Sequence, residues 1–290
     1  MMNKTTFLTT GNSLCSKVLS VVFCLAFLPA LIQSAAGQSS AWELPEYKEK
    51  INAFSAGIGK TWERETYISE LTYSGLVGSL QWDGWKGAKP DGVMGYGRFH
   101  SSVLFGYLKN RLGGGRMLYA SVNYYYSRIW SVVHTKCSDL LLGPSAMFKL
   151  CGLYDTTDSN NTATGEGYLS VGLCADYICR FNIRNYPLAV QLNMYSPLLG
   201  IAPSPNYDQP YWFVYKYNQY TSLIHFAWFG NCFALNGQVN VICPVRGGSI
   251  RVGYNLDYLG NKLGGHLTRL TDTCFTIGFV HRLAKKNLRQ

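Results

Sequence analysis

The sequence is poor in charge. Charged residues make up 14% of its 290 positions, where an ordinary soluble domain carries about 25%. Apolar residues reach 47%, which excludes a disordered chain and leaves a folded protein whose surface need not face water. Long apolar runs are missing too. Beyond residue 37 no stretch approaches the roughly 18 apolar residues of a spanning helix, so helical membrane spans are excluded. The basic excess, 26 against 16 acidic residues, is spread along the chain and leaves no nucleic-acid footprint.

Catalytic and metal motifs are absent as well. The five histidines (100, 134, 225, 266 and 281) show no H-E-x-x-H spacing, and no cysteine pair has the C-x-x-C spacing of a zinc or redox site. Gly59-Lys60-Thr61 ends like a phosphate-binding loop, but Phe54 stands where that loop needs its first glycine. No G-x-S-x-G occurs. The motifs therefore assign no catalytic, cofactor-binding or metal-ligating residue and no cofactor, and the chain reads as a non-enzyme. Seven cysteines follow residue 37 (137, 151, 174, 179, 232, 243 and 274). Their number is odd and they sit at ordinary strand positions, which points to small wall residues and not to a disulfide framework.

What is present starts with an address. Met1 to Lys17 is weakly basic, Val18 to Ile32 is an apolar core, and Ala35-Ala36-Gly37 supplies small residues before a cut at Gln38. That is the build of a signal peptide over residues 1–37, leaving 38–290 as one domain. Cys24 is followed by more apolar core, which argues against lipidation.

Period two dominates the rest. From Tyr168 to Ile183 the odd positions read Leu, Val, Leu, Ala, Tyr, Cys, Phe, Ile, while the even ones are small or polar apart from Ile178. The same alternation returns over 188–194 and 249–258. A 3.6-residue period would mix the two sets, so these are strands. Their length exceeds the usual 5–6 or so residues and suits the 9–11 or so needed to cross a bilayer at a tilt. The polar face carries Gly, Ser, Asn, Gln and Tyr, a composition suited to a lumen, and tryptophans 42, 62, 82, 85, 130, 212 and 228 gather near strand ends, where amphipathic rings sit at headgroup level. The fold expected is all-β: an up-and-down antiparallel transmembrane β-barrel. A secreted lipocalin-like barrel with an apolar inside is the alternative.

About ten strands are expected, near 53–63, 66–80, 99–109, 117–132, 139–152, 168–183, 187–199, 233–243, 249–260 and 267–282. With both termini periplasmic, the short turns at 184–186 and 244–248 fall on the periplasmic side and the long connections 155–167 and 200–231 fall outside, as such barrels require. One connection conflicts: 81–98 is long yet periplasmic. Twelve strands, one of them hidden within 211–229, or a wrong split near the N-terminus would remove the conflict.

Charges expected on the inner face are Glu70, Lys149, Asp176, Arg180, Arg251 and Asp257. Asp176 and Arg180 lie roughly 13 Å apart along one strand, so each needs partners on its neighbours. Tyr119, Tyr125 and Tyr168 are available to fill the interior of so narrow a barrel. The prolines at 203, 205 and 210 cannot serve a central strand. Tyr207, Gln209, Tyr211 and Trp212 are then candidate contact residues of a folded extracellular loop.

The segment Pro197-Leu198-Leu199-Gly200 followed by Ser204-Pro205-Asn206-Tyr207-Asp208-Gln209-Pro210-Tyr211-Trp212 resembles the landmark of an uncharacterised outer-membrane barrel family of Bacteroidota. That family's pattern runs P-L-x-G, then S-P-x-Y-G-Q-S-Y-Y. Leu142-Gly143-Pro144, Arg251-Val252-Gly253-Tyr254 and Cys274 to Val280 resemble its other landmarks in order, and the likeness covers about the last 150 residues well. The sequence departs at Asp208 and Pro210, where the family has Gly and Ser. The resemblance implies an outer-membrane location and supplies no activity. The expected function is structural, or the binding of a ligand or protein partner through extracellular loops, with outer-membrane lipid around the wall and no nucleic acid. The alternatives are a narrow small-solute channel and a barrel-embedded lipid-modifying enzyme drawing on residues such as His225 and His266.

Overall fold

The computed structural model describes residues 42–67, 69–89, 94–110, 112, 114–157, 163–184, 186–204, 216–218 and 223–283. Residues 1–37, expected to be a signal peptide, lie outside the described residues. Long alternating stretches pair only if each finds a neighbour on both edges, and the solution here is closure. The strands are β1 (Lys50–Glu65), β2 (Tyr73–Ala88), β3 (Gly95–Asn110), β4 (Arg116–His134), β5 (Ser138–Asp155), β6 (Ala163–Ile183), β7 (Tyr186–Pro203), β8 (Ile224–Trp228), β9 (Cys232–Val245), β10 (Gly248–Leu263) and β11 (His266–Leu283). Each pairs antiparallel with its sequence neighbour, and β1 pairs with β11 from Lys50↔Leu283 to Glu65↔Thr268, which shuts the barrel. Closure gives each of the ten wall positions a partner on both sides, the arrangement by which a sheet can face lipid.

Strand β8 adds no eleventh wall position. It faces the end of β7 expected to be extracellular, from Leu199↔Trp228 to Pro203↔Ile224, and β9 takes over the same strand from Tyr195↔Asn236 to Ala189↔Ile242. The two segments form one barrel strand interrupted by the tight turn at 229–231, so the wall has ten positions. The segment expected within 211–229 therefore exists, but as an extension of the strand already expected at 233–243.

The second strand is the correction that removes the topological conflict. It runs over Tyr73–Ala88 and not 66–80, so the connection after it is short and falls with the other short turns, at the end expected to be periplasmic. The stretch Asp83-Gly84-Trp85-Lys86-Gly87 reads as a loop because of its glycines, yet these are packing sites. A Cβ at Gly84 would stand 2.1 Å from the Phe99 ring, and one at Gly87 would stand 2.1 Å from the Glu46 carbonyl oxygen.

Alternation sorts the side chains as expected. Leu169, Val171 and Leu173 face out, as do Phe275, Ile277 and Phe279, and Tyr168, Ser170, Cys174 and Asp176 are buried inside. Apolar side chains such as Phe54, Ile58, Leu76, Leu80, Phe105, Leu118 and Leu150 are exposed around the wall. A continuous apolar outer face of this kind is stable in lipid and costly in water. An aromatic group near the periplasmic rim, with Phe54 stacked on Trp82 at 5.6 Å and Trp82 edge-on to Phe99 at 4.7 Å, matches headgroup level. Trp42 and Trp85 depart from that expectation. Both are buried at the periplasmic end of the lumen, because Trp85 shares the inward parity of Asp83. All seven cysteines among the described residues are free, five of them buried.

Candidate functional site

Among the described residues the inward faces converge on a polar lumen crossed by side-chain bonds. At the periplasmic end the chain before β1 turns under the barrel. Its Lys48 amide donates to the Gly87 carbonyl at 3.0 Å, and Trp42 packs edge-on against Trp85 with ring centroids 5.2 Å apart. Arg180 on β6 holds this cap, donating through Nε to the Trp42 carbonyl and through Nη2 to the Asp139 carboxylate of β5.

Above the cap lies a balanced charge network. Arg98 on β3 is fully buried, its Nε 3.7 Å from Asp176 of β6 and its Nη2 3.8 Å from Asp83 of β2. The same Nη2 donates to Gln238 Oε1 of β9 at 3.1 Å, which crosses the full barrel, and the guanidinium lies 5.2 Å from the Trp85 ring centre. Asp83 also meets Arg251 of β10 at 2.6 Å and His100 Nδ1 at 2.7 Å. Asp176 accepts Gln191 Nε2 at 2.9 and 3.0 Å. Buried charges are stable only when paired and hydrogen-bonded. Here three acids, Asp83, Asp139 and Asp176, meet three arginines, Arg98, Arg180 and Arg251.

Rings close the middle. His100, Tyr125 and Tyr195 stack in sequence at 4.8 and 5.4 Å, joining β3, β4 and β7. Lys149 of β5 donates to Asp257 of β10 at 3.0 Å, and Asn123 Nδ2 donates to the same oxygen at 3.0 Å. Asp272 of β11 accepts Thr61 at 2.6 Å and Tyr119 at 2.8 Å. The cavity beside these groups, lined by Gln81, His100, Asn236, Asn255 and Asp272 among others, measures about 20 Å³, room for about one water.

The extracellular end differs. Glu63 and Glu65 of β1 meet Glu166 of β6, a strand halfway round the wall, with carboxylate oxygens within 4.8 Å of one another. Glu65 accepts Thr164 Oγ1 at 3.3 Å. Both oxygens of Glu63 and one each of Glu65 and Glu166 are buried without a hydrogen-bond partner. A cavity of about 10 Å³ adjoins them, lined by Glu65, Glu166, Tyr168, Ser204 and Asn261 among others. Just outside, Ser204 Oγ lies 2.9 Å from His266 Nε2, and His225 Nε2 lies 2.9 Å from the Ser204 carbonyl oxygen. His266 Nδ1 has no hydrogen-bond partner.

Of the charges expected inside, Lys149, Asp176, Arg180, Arg251 and Asp257 face the lumen and share the networks above. Glu70 does not. It is exposed in the turn between β1 and β2, because β1 ends at Glu65 and the chain has left the wall by residue 70. Tyr207, Gln209, Tyr211 and Trp212 lie outside the described residues, as do Asp208 and Pro210. Sequence reasoning missed Asp83 and Arg98, which sit in the stretch read as a connection. It also missed Glu63 and Glu65, although their odd parity with Ala53 and Ser55 marks them as inward.

Comparison with known proteins adds a family. No curated protein matches the sequence. Among solved structures, the chain is similar to the outer membrane protease OmpT from Escherichia coli, at 7% identity over 84% of this chain and 100% of that one, with a TM-score of 0.48. It is similar also to the translocator domain of the autotransporter NalP from Neisseria meningitidis, at 8% identity over 91% and 98% of the two chains, TM-score 0.38. A COG4313 outer membrane channel from Pseudomonas putida F1 matches at 9% identity over 86% and 98%, TM-score 0.35. These are barrels of differing activity, and the likeness is one of fold. The family model "Protein of unknown function (DUF3316)" matches residues 20–290, nearly the whole sequence, and the chain belongs to that family.

Proposed function

We propose that this protein is exported by its signal peptide to the outer membrane, where it serves as a sealed β-barrel that binds a ligand or protein partner through its extracellular connections. The observation that carries the reading is the cross-lumen bonding. Arg98 to Gln238, Tyr119 to Asp272 and Lys149 to Asp257 tie distant walls together, and two internal cavities among the described residues, about 10 and 20 Å³, each have room for about one water. A narrow channel would need this network to part. The long connection between β7 and β8, with Tyr207, Gln209, Tyr211 and Trp212, supplies the contact surface at the extracellular mouth. An origin in Bacteroidota and the Pro197–Trp212 landmark belong to the same reading. Lipid is the partner of the wall, where an apolar groove of about 870 Å³ runs past Ile58, Leu76, Phe105, Leu118 and Tyr154.

Planar-bilayer recording of the refolded chain tests the seal. The wild type is expected to be silent while a heat-modifiability gel shows a folded barrel. Steady ion-selective steps that change in Arg251→Ala would establish the channel instead. A second reading rests on the Ser204–His266 hydrogen bond, the start of a nucleophile and base pair at the extracellular mouth of a barrel surrounded by lipid. It expects turnover of a lipid ester and covalent labelling of Ser204 by a fluorophosphonate. A chain that takes no label, or labels equally as Ser204→Ala, removes it.

A further inference from the structure

The carboxylates at the extracellular end of the lumen lack a counter-charge. Glu63, Glu65 and Glu166 converge within 4.8 Å, and Glu63 is 1% exposed with neither oxygen bonded. The basic group that faces Glu63 and Glu166 is Lys149, already bonded to Asp257 at 3.0 Å. Neutral oxygens point the same way. The Thr268 hydroxyl of β11, on a residue 1% exposed, is aimed at Glu166 and has no hydrogen-bond partner of normal geometry. The Asn261 amide oxygen of β10 is buried without a partner beside the same small cavity. Like charges packed this closely repel unless a proton or a cation stands between them. Acceptors gathered at one point, most of them without a donor among the described residues, suit the coordination shell of a hard cation.

We propose that Glu63, Glu65 and Glu166, with Thr268 and Asn261 beside them, form a site for one divalent cation of the calcium class that ties β1 to β6 across the mouth of the barrel. An all-oxygen donor set suits Ca²⁺ or Mg²⁺ and not a soft transition metal. A cage made mostly of protein oxygens suits calcium, which takes about six to eight of them in flexible geometry, better than magnesium, which keeps several waters. The adjoining space of about 10 Å³ leaves room for roughly one coordinated water. The site is independent of what the extracellular loops bind.

The test uses the full refolded barrel, stripped with EDTA and titrated with Tb³⁺. Tyr168 lines the same cavity as Glu65 and Glu166 and should sensitise the ion's luminescence. Saturable emission at one ion per chain, displaced by Ca²⁺ at lower concentration than by Mg²⁺, is expected. Glu63→Gln should weaken binding tenfold or more. The same substitution has a diagnostic sign in thermal unfolding. In EDTA it should unfold at the same temperature as the wild type or higher, because it removes a repelling charge, and with Ca²⁺ it should lose the rise that the wild type gains. If Glu63→Gln fails to fold, Glu166→Gln reads the same two quantities. Emission unchanged by both substitutions, a preference for Mg²⁺, or unfolding temperatures indifferent to Ca²⁺ would overturn the assignment.

Discussion

The two halves of the lumen solve the same problem in opposite ways. In the periplasmic half Asp83, Asp139 and Asp176 are each met by an arginine, and rings of Trp85 and Tyr125 flank Arg98. In the extracellular half Glu63, Glu166, Asp257 and Asp272 face the base Lys149, and Glu65 adds a further acid beside Glu166. The first half is electrically complete and is held by its own side chains. The second is complete only with a charge from outside, so its rigidity depends on the medium. A barrel built this way has a fixed floor and a conditional mouth, which suits a protein whose contacts are made at the mouth.

The largest effect is expected from breaking the floor. Arg98→Met leaves Asp83 and Asp176 short of a partner in a buried site and should cost about 3–5 kcal/mol, read as a fall in the urea midpoint with little change in slope. Because that half takes no ion, Ca²⁺ should not restore it. Lys149→Met comes next, with a loss of about 3 kcal/mol in EDTA, since it removes the basic group of the mouth. Here added Ca²⁺ should recover part of the loss, and a variant equally unstable in both media would erase the distinction between the halves. Trp42→Ala strips the cap and should cost about 3 kcal/mol. Limited proteolysis should then cut ahead of Lys50 in the variant while sparing the wild type. Glu70→Gln, at an exposed turn, should stay within about 0.5 kcal/mol of wild type with or without Ca²⁺.

The comparison also shows what local pattern conceals. The inward parity of Asp176, Arg180, Arg251 and Asp257 is legible, and so is the apolar face of Phe275, Ile277 and Phe279, because alternation along one strand needs no knowledge of its neighbours. The second strand was harder to place. Its glycines look like turn residues, and only the Phe99 ring lying over Gly84 and the Glu46 carbonyl beside Gly87 explain why side chains are missing there. The displaced strand hid Asp83 and Arg98, and with them the core of the floor network. Glu63 and Glu65 were visible as inward residues, but two acids on a strand are ordinary until a third arrives from another wall.

The sequence by itself determined the class of fold and, along most strands, which face is apolar, since a two-residue period and strand length are local properties. The tertiary structure alone decided which residues meet. Barrel closure sets β1 against β6 and β3 against β9 across the lumen, so Glu63 finds Glu166 and Arg98 finds Gln238 through space that the chain order does not encode. Register and shear of the whole wall fix those meetings, and no single strand carries that information.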